Sequence, residues 1–371
     1  MKFKLTSLFL VFASIAGAQT VSSPDGRLTV EVNATNGQAN YTVKLAEKTF
    51  IEKSALGLNT SFGDFTKDVA LRGVSEVKNV NDQYTLRQSK KSEINYEANE
   101  VTCSFNDKDG RHAFDVIFRV DNNNVAFRYR LLPKRDTRSC LIHNEATSFV
   151  IPEGSTTFLC PQMQPQTGWM RTCPSYETHY SYDEPMGKNG HGLGYAFPAL
   201  FRIGESGWVM ICETGVNGSY CASRLDNAGG NKYVVAYPHP DEFGGVGTSA
   251  PGLSLPGETP WRTITVGDNL KPIVETTIPF DVVKPLYEPS MEYKFGRCSW
   301  HWMIWDDASV NFEDVKKFID LSAAMGWEYT LIDGLWDKQI GYEKVEELIR
   351  YAKDKGVEPF LWYNSNGAWN D

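Results

Sequence analysis

GRCSWHWMIW (Gly296–Trp305), WEYTLIDG (Trp327–Gly334) and VEPFLWYN (Val357–Asn364) are three strand-like runs late in a 371-residue chain, and two helix-like runs separate them. The first helical run, Asn311–Met325, puts Phe312, Val315, Phe318, Ile319 and Ser322 at helical spacing. Asn311 is placed to cap it, Asp314 stands at the third helical position, and Gly326 stops it. The second, Tyr342–Lys355, gathers Val345, Leu348, Ile349 and Ala352 on one face and ends at Gly356. Strand–helix alternation predicts a parallel sheet built from βαβ units. In a (β/α)8 barrel the carboxyl ends of the strands form the active face. Here those ends carry Trp300 and Trp302, then Asp333, then Trp362 and Asn364.

Upstream, from Val21 to about Leu286, the period is two instead. SPDGRLTVEV opens with a Pro-Asp-Gly turn and then alternates, with Leu28, Val30 and Val32 on one face. FDVIFRV and NNNVAFRYRL read as a hairpin turning at Asp121–Asn124. Further strands are expected in ALFRI, GWVMICE, KYVVAY and WRTITVG. Many short strands separated by Gly, Pro and Asn predict a sandwich of antiparallel sheets with no amphipathic helix. The expected organisation is therefore multidomain, β followed by α/β. Residues 19–270 form the β domain, 271–295 a proline-interrupted linker, and 296–371 the first three βα units of an incomplete (β/α)8 TIM barrel.

Composition narrows the function. The formal charge of −9 comes without basic runs, which argues against nucleic acid as a partner. Lys2 and Lys4, an apolar run from Leu8 to Ile15, and Ala16-Gly17-Ala18 make an export signal with cleavage after Ala18. That run is shorter than the ~20 residues of a membrane span, and no later stretch is apolar enough, so the protein is expected outside the cytoplasm and not in a membrane. Seven cysteines form no C-x-x-C pair. Export permits disulfides, and Cys212–Cys221 across a hairpin and Cys160–Cys173 across a loop are the pairings that spacing suggests; free thiols remain equally open.

Aromatics make up 13% of the chain, with 10 Trp. Indole rings stack on the apolar faces of sugars, and carboxylates and amides bind sugar hydroxyls. Trp300, Trp302, Asp333, Trp362 and Asn364 are accordingly the candidate ligand contacts, each weighed against ordinary packing or loop capping. Pro161–Gly194 is a long polar and aromatic loop. Within it Glu177, in SYETHY, is a carboxylate of the kind that binds a hard cation. Glu213 and Arg262 carry no chemistry that spacing defends; Arg262 reads as a packing residue.

Taken in order, SPDGRL, SALGL, AFRY, SYETHY, TPWR, GRCSWHW and LWYNSNGAWND resemble glycoside hydrolase family 97 over essentially the whole chain after the signal. The resemblance implies an exported bacterial α-glucosidase or α-galactosidase with an N-terminal β-super-sandwich, a catalytic (β/α)8 barrel and a Ca²⁺ near the catalytic centre. It makes Glu177 the calcium ligand supplied by the β domain, and it gives the aromatic strand ends to the sugar pocket. The family's catalytic carboxylates lie on later strands, so none is expected before Asp371. Residues 296–371 fall far short of the ~250 of a whole barrel, which implies a fragment that is inactive alone on its α-glycoside or oligosaccharide substrates. The rival reading is a non-catalytic, carbohydrate-binding β-sandwich.

Overall fold

The computed structural model of the chain describes residues 18–87, 89–162, 178–240 and 248–363. They divide into two compact units, one running to Lys284 and the other starting at Pro285.

In the first unit, alternation decides the strands. Leu28, Val30 and Val32 are fully buried while the residues between them are half-buried. His112–Val120 and Asn124–Leu131 form the expected hairpin, in register Phe118↔Phe127. Its turn is held by Asp121, whose Oδ1 accepts from the backbone N–H groups of Asn123 and Asn124, both at 2.8 Å. The other expected strands are present as Tyr195–Ile203, Gly207–Thr214, Lys232–Ala236 and Trp261–Gly267.

Pairing is antiparallel along the whole path. It leads from Glu93–Asn106 through the hairpin to Trp261–Gly267, Gly207–Thr214 and Tyr195–Ile203. It turns a corner at Tyr195↔Leu225 into Arg224–Asn227, Lys232–Ala236 and Ser148–Val150. Val150↔Glu52 then leads to Lys48–Ala55, Gln38–Leu45 and Leu28–Thr35. Side chains of the two layers meet between them: Tyr41 lies 5.3 Å from the buried ring of Phe127 and 6.3 Å from that of its hairpin partner Phe118.

Arg262 is a packing residue, as expected, but an ionic one. It is fully buried and paired with Glu145 and Glu213. Burial by itself would lower its pKa; Glu145 and then Glu213 more than reverse this and hold the guanidinium charged. Thr147 and Tyr220 donate to Glu145 at 2.9 and 3.2 Å, and the Ser223 hydroxyl and N–H donate to Glu213 at 2.6 and 2.7 Å. Every charge in the cluster is thus hydrogen-bonded.

Two expectations change here. Lys271–Glu275 and Ile278–Val282 are one-turn helices, each with its proline in the first turn, where a missing N–H costs nothing. Ile278 and Val282 pack on Ile117, Ala126 and Trp261, so this part of the expected linker is bound to the β unit. Cys212 and Cys221 are free thiols, as are Cys103, Cys140 and Cys298. The strand of Cys212 pairs with Tyr195–Ile203 and Trp261–Gly267, not with the strand after Cys221, so the supposed hairpin does not exist. Cys173 lies outside the described residues, and its pairing with Cys160 with it.

In the second unit, Cys298–Trp300, Tyr329–Ile332 and Glu358–Leu361 form a parallel sheet. Phe312–Met325 and Tyr342–Asp354 connect them. Asn311 accepts from the Asp314 N–H at 3.0 Å, and Gly326 closes the helix in the left-handed conformation at φ 64°. Val315, Ile319, Val345, Leu348 and Ala352 bury themselves against Ile332. The first strand is shorter than its aromatic run. His301 turns helical, and its carbonyl accepts from the N–H groups of Ile304 and Trp305 at 3.1 and 3.2 Å. No helix among the described residues is long and apolar enough to cross a membrane.

Replacing Arg262 with Met leaves Glu145 and Glu213 without a counter-charge. The expected result is a loss of about 3–5 kcal/mol in urea unfolding of the first unit. A loss below about 1 kcal/mol would show that the arginine is not held as described.

Candidate functional site

Parallel pairing fixes which residues can meet. Trp300 pairs with Leu331, and Ile332 with Leu361, so the residues that follow each strand emerge at one end of the sheet. The Trp300 indole N–H donates to Asp333 Oδ2 at 2.5 Å. The Trp300 ring is stacked on Trp302, with centroids 5.5 Å apart and planes 19° apart. It also lies 5.5 Å from Trp362, tilted by 48°. Four of the residues singled out from the sequence therefore form one cluster: three indoles gathered about Trp300, which is bonded to the carboxylate. Asn364 and Glu177 lie outside the described residues.

Asp333 is 8% exposed. Burial raises its pKa above the ordinary carboxylate value; the bonds from Trp300 and from the Gly334 N–H oppose this, and Asp307 adds to it. The carboxyl is held by two donors, and neither is a cation. Trp302 is pinned by its own indole N–H, which donates to Asp307 Oδ1 at 2.8 Å. The Trp362 carbonyl accepts from the buried Trp336 indole at 3.2 Å. The loops that carry these groups are strained. Leu335 sits at φ 72°, and Asp306 at φ 50° with ψ −158°, a region that side-chain-bearing residues seldom adopt.

Sequence reading missed the supports. His301 is fully buried and so is no ligand contact. Its Nε2 accepts from the Asp333 N–H at 3.4 Å, which puts its own hydrogen on Nδ1, facing Ser309 Oγ at 2.7 Å. The Ser309 hydroxyl passes its hydrogen to the Asp306 carbonyl at 2.6 Å. Burial lowers the imidazole pKa to about 4, with Asp314 opposing. Alternation offers no signal for this, since a strand-end His reads equally well as a ligand. Among the described residues no three His, Cys, Asp or Glu side chains converge as a metal-ligating group. At this end of the sheet the described residues therefore offer Ca²⁺ no cage of three such ligands.

The cluster can present flat apolar faces beside a hydrogen-bond acceptor, the surface that a pyranose ring needs. The sequence profile of the glycosyl-hydrolase 97 N-terminal region matches residues 21–285. A "Probable retaining alpha-galactosidase" of Streptomyces bingchenggensis (strain BCW-1) is 27% identical over 94% of this chain and 52% of its own length. A "Retaining alpha-galactosidase" of Bacteroides thetaiotaomicron is 23% identical over 97% of this chain and 58% of its own. Among solved structures, a β-arabinopyranosidase superposes with a TM-score of 0.88 at 50% identity, over 95% of this chain and 56% of that one. A glycoside hydrolase family 97 enzyme from Pseudoalteromonas sp. strain K8, bound to panose, superposes with a TM-score of 0.72 at 20% identity, over 92% and 53%. That last likeness concerns the fold alone. The chain spans about half the length of the curated relatives it matches.

The buried imidazole gives a pH test. Between pH 6.5 and about 4 the unfolded chain binds a proton at His301 that the folded chain refuses. This part of the stability is complete above pH 6.5 and is lost as pH falls toward 4. Asp333, with its raised pKa, works in the opposite sense, so the two must be separated. His301→Gln keeps an acceptor for the Asp333 N–H and removes the titration. Urea unfolding at pH 7 and pH 5 should show a smaller pH dependence in the variant than in the parent; equal slopes would place the imidazole in water.

Proposed function

The chain belongs to glycoside hydrolase family 97, and from that premise we propose that it is the front part of an exported hydrolase that removes terminal sugars from α-glycosides. Its β-super-sandwich is followed by the opening βα units of the catalytic (β/α)8 barrel, 296–371, with 271–295 leading from one to the other. What carries this reading is the meeting of Trp300, Trp302, Trp362 and Asp333 at one end of a parallel sheet. A binding sandwich without catalysis has no use for such a sheet.

In this reading the indoles stack on the sugar ring, Asp333 accepts hydrogen bonds from its hydroxyls, and Asn364 is assigned a further hydroxyl contact. The strained loops and the His301–Ser309 pair hold these groups before the ligand arrives. The two carboxylates that break the bond come from residues beyond Asp371, in keeping with relatives about twice as long. Glu177 would offer one oxygen to a Ca²⁺ whose remaining ligands would come from outside this chain. The export segment, with cleavage after Ala18, falls almost wholly outside the described residues.

The sugar follows from shared ring geometry. A β-L-arabinopyranoside has the ring configuration of an α-D-galactoside without its C6 hydroxymethyl group. The names of the relatives at 50%, 27% and 23% identity are therefore two sides of one pocket shape, and α-galactosides and β-L-arabinopyranosides are favoured over α-glucosides.

The test uses the chain extended to the length of its relatives, assayed on p-nitrophenyl α-D-galactoside, β-L-arabinopyranoside and α-D-glucoside. One of the first two should be turned over fastest, and the 371-residue chain should turn over none. Trp300→Ala in the extended enzyme should raise KM about tenfold, for the loss of about 1.4 kcal/mol of stacking. An extended enzyme that hydrolyses none of the three would overturn the reading.

A further inference from the structure

Wholly within the first unit, a cleft of about 400 Å³ opens between the strand Glu93–Asn106, the Asp121–Asn124 turn and the two one-turn helices. Its charge is unbalanced: five carboxylates line it against one lysine, Lys91. That lysine is 4.0 Å from Glu275, which Lys271 also pairs. Asp121 and Asp281 are left with neutral donors alone. Asp281 accepts from the Tyr84 hydroxyl at 2.5 Å and from the Thr277 hydroxyl at 3.0 Å. Asp121 Oδ1 takes three donors, but its Oδ2 has only a share of the Asn124 amide at 3.0 Å. Burial accordingly pushes the Asp121 carboxyl up to about 6, and raises Asp281 as well.

A second observation is independent of charge. Tyr96 lines the same cleft and is only 5% exposed, yet its buried hydroxyl has no hydrogen-bond partner among the described residues. A buried hydroxyl left without a partner is costly, so such atoms usually mark an ion or water.

We propose that this cleft binds one hard divalent cation, held by the carboxylates of Asp121 and Asp281 and the hydroxyl oxygen of Tyr96, with water completing its shell. All three donors are hard oxygens, which suits Ca²⁺. Two carboxylates are fewer than a dedicated cage supplies, so the ion keeps several waters and binds with a Kd of about 10⁻⁴–10⁻³ M. The ion ties the strand of Tyr96 to the hairpin turn and to the one-turn helices, where Thr276 already donates to Asn124 at 2.9 Å.

The experiment titrates the 371-residue chain with CaCl2 by calorimetry, in a Glu177→Gln background that removes the ligand assigned under the glycosidase reading. One site should remain. Asp281→Asn should weaken it at least tenfold, and Tyr96→Phe severalfold. Tb³⁺ used in place of Ca²⁺ should show sensitised emission that falls in Tyr96→Phe. Circular dichroism without metal checks that both variants fold as the parent does. If a variant fails to fold, Glu93→Gln, on the rim, should still weaken binding through charge alone. Absence of binding in Glu177→Gln, or binding indifferent to Asp281→Asn, would overturn the proposal while leaving the glycosidase reading untouched.

Discussion

Parallel pairing between three short strands is the constraint on which the candidate site depends. Antiparallel neighbours would send Asp333 to the opposite end of the sheet from Trp300. In parallel register, Ile332 pairs with Leu361 and Trp300 with Leu331, and the residues that follow are delivered to one place. The connecting helices make that register possible, because a parallel crossover needs a dozen or more residues. The cap at Asn311 and the stop at Gly326 set where the first crossover begins and ends. Local helix signals therefore determine which side chains form the cluster.

The Arg262 cluster and the Asp333 cluster handle buried polarity differently. In the first, Arg262 and two glutamates are sealed in the sandwich, and hydroxyls satisfy what the ion pairs leave over. In the second, His301 is buried as a neutral base and Asp333 as a carboxylate held by neutral donors. The first arrangement is closed, with little left to offer a ligand. The second leaves the acceptor capacity of Asp333 unspent beside half-buried indoles and the exposed Trp362, which is the condition for recognising a hydroxylated ring.

Periodicity made much of this legible. Alternation around Leu28, Val30 and Val32 gave the core face of a strand, and the 3.6-residue spacing of Val315, Ile319 and Ser322 gave a helix with its cap. Four of the candidate site residues were legible because a strand end is a position that sequence alone can specify. What stayed hidden depends on distance along the chain. Arg262 meets Glu145 across 117 residues, and neither side of that pair leaves a mark in local pattern. His301 was visible as a residue but not as a role, since burial decides whether an imidazole faces ligand or backbone. The Cys212–Cys221 pairing failed because proximity in sequence was taken for a hairpin, while the strand order sends the two segments to different neighbours. At Lys271 and Ile278 the prolines left helix and strand equally open to sequence reading, since a proline breaks a helix in its interior but suits its first turn.

The Arg262 cluster restricts how this sandwich can change over evolutionary time. An apolar replacement at that position alone strands two anions, and neutralising one glutamate alone alters the balance on which the other relies. Passage to an oily interior of equal volume would need several near-simultaneous exchanges on strands far apart in the gene, because single exchanges upset the pairing of buried charge. Lineages that inherit the trio are held to it by the route out, whatever the stability of the destination.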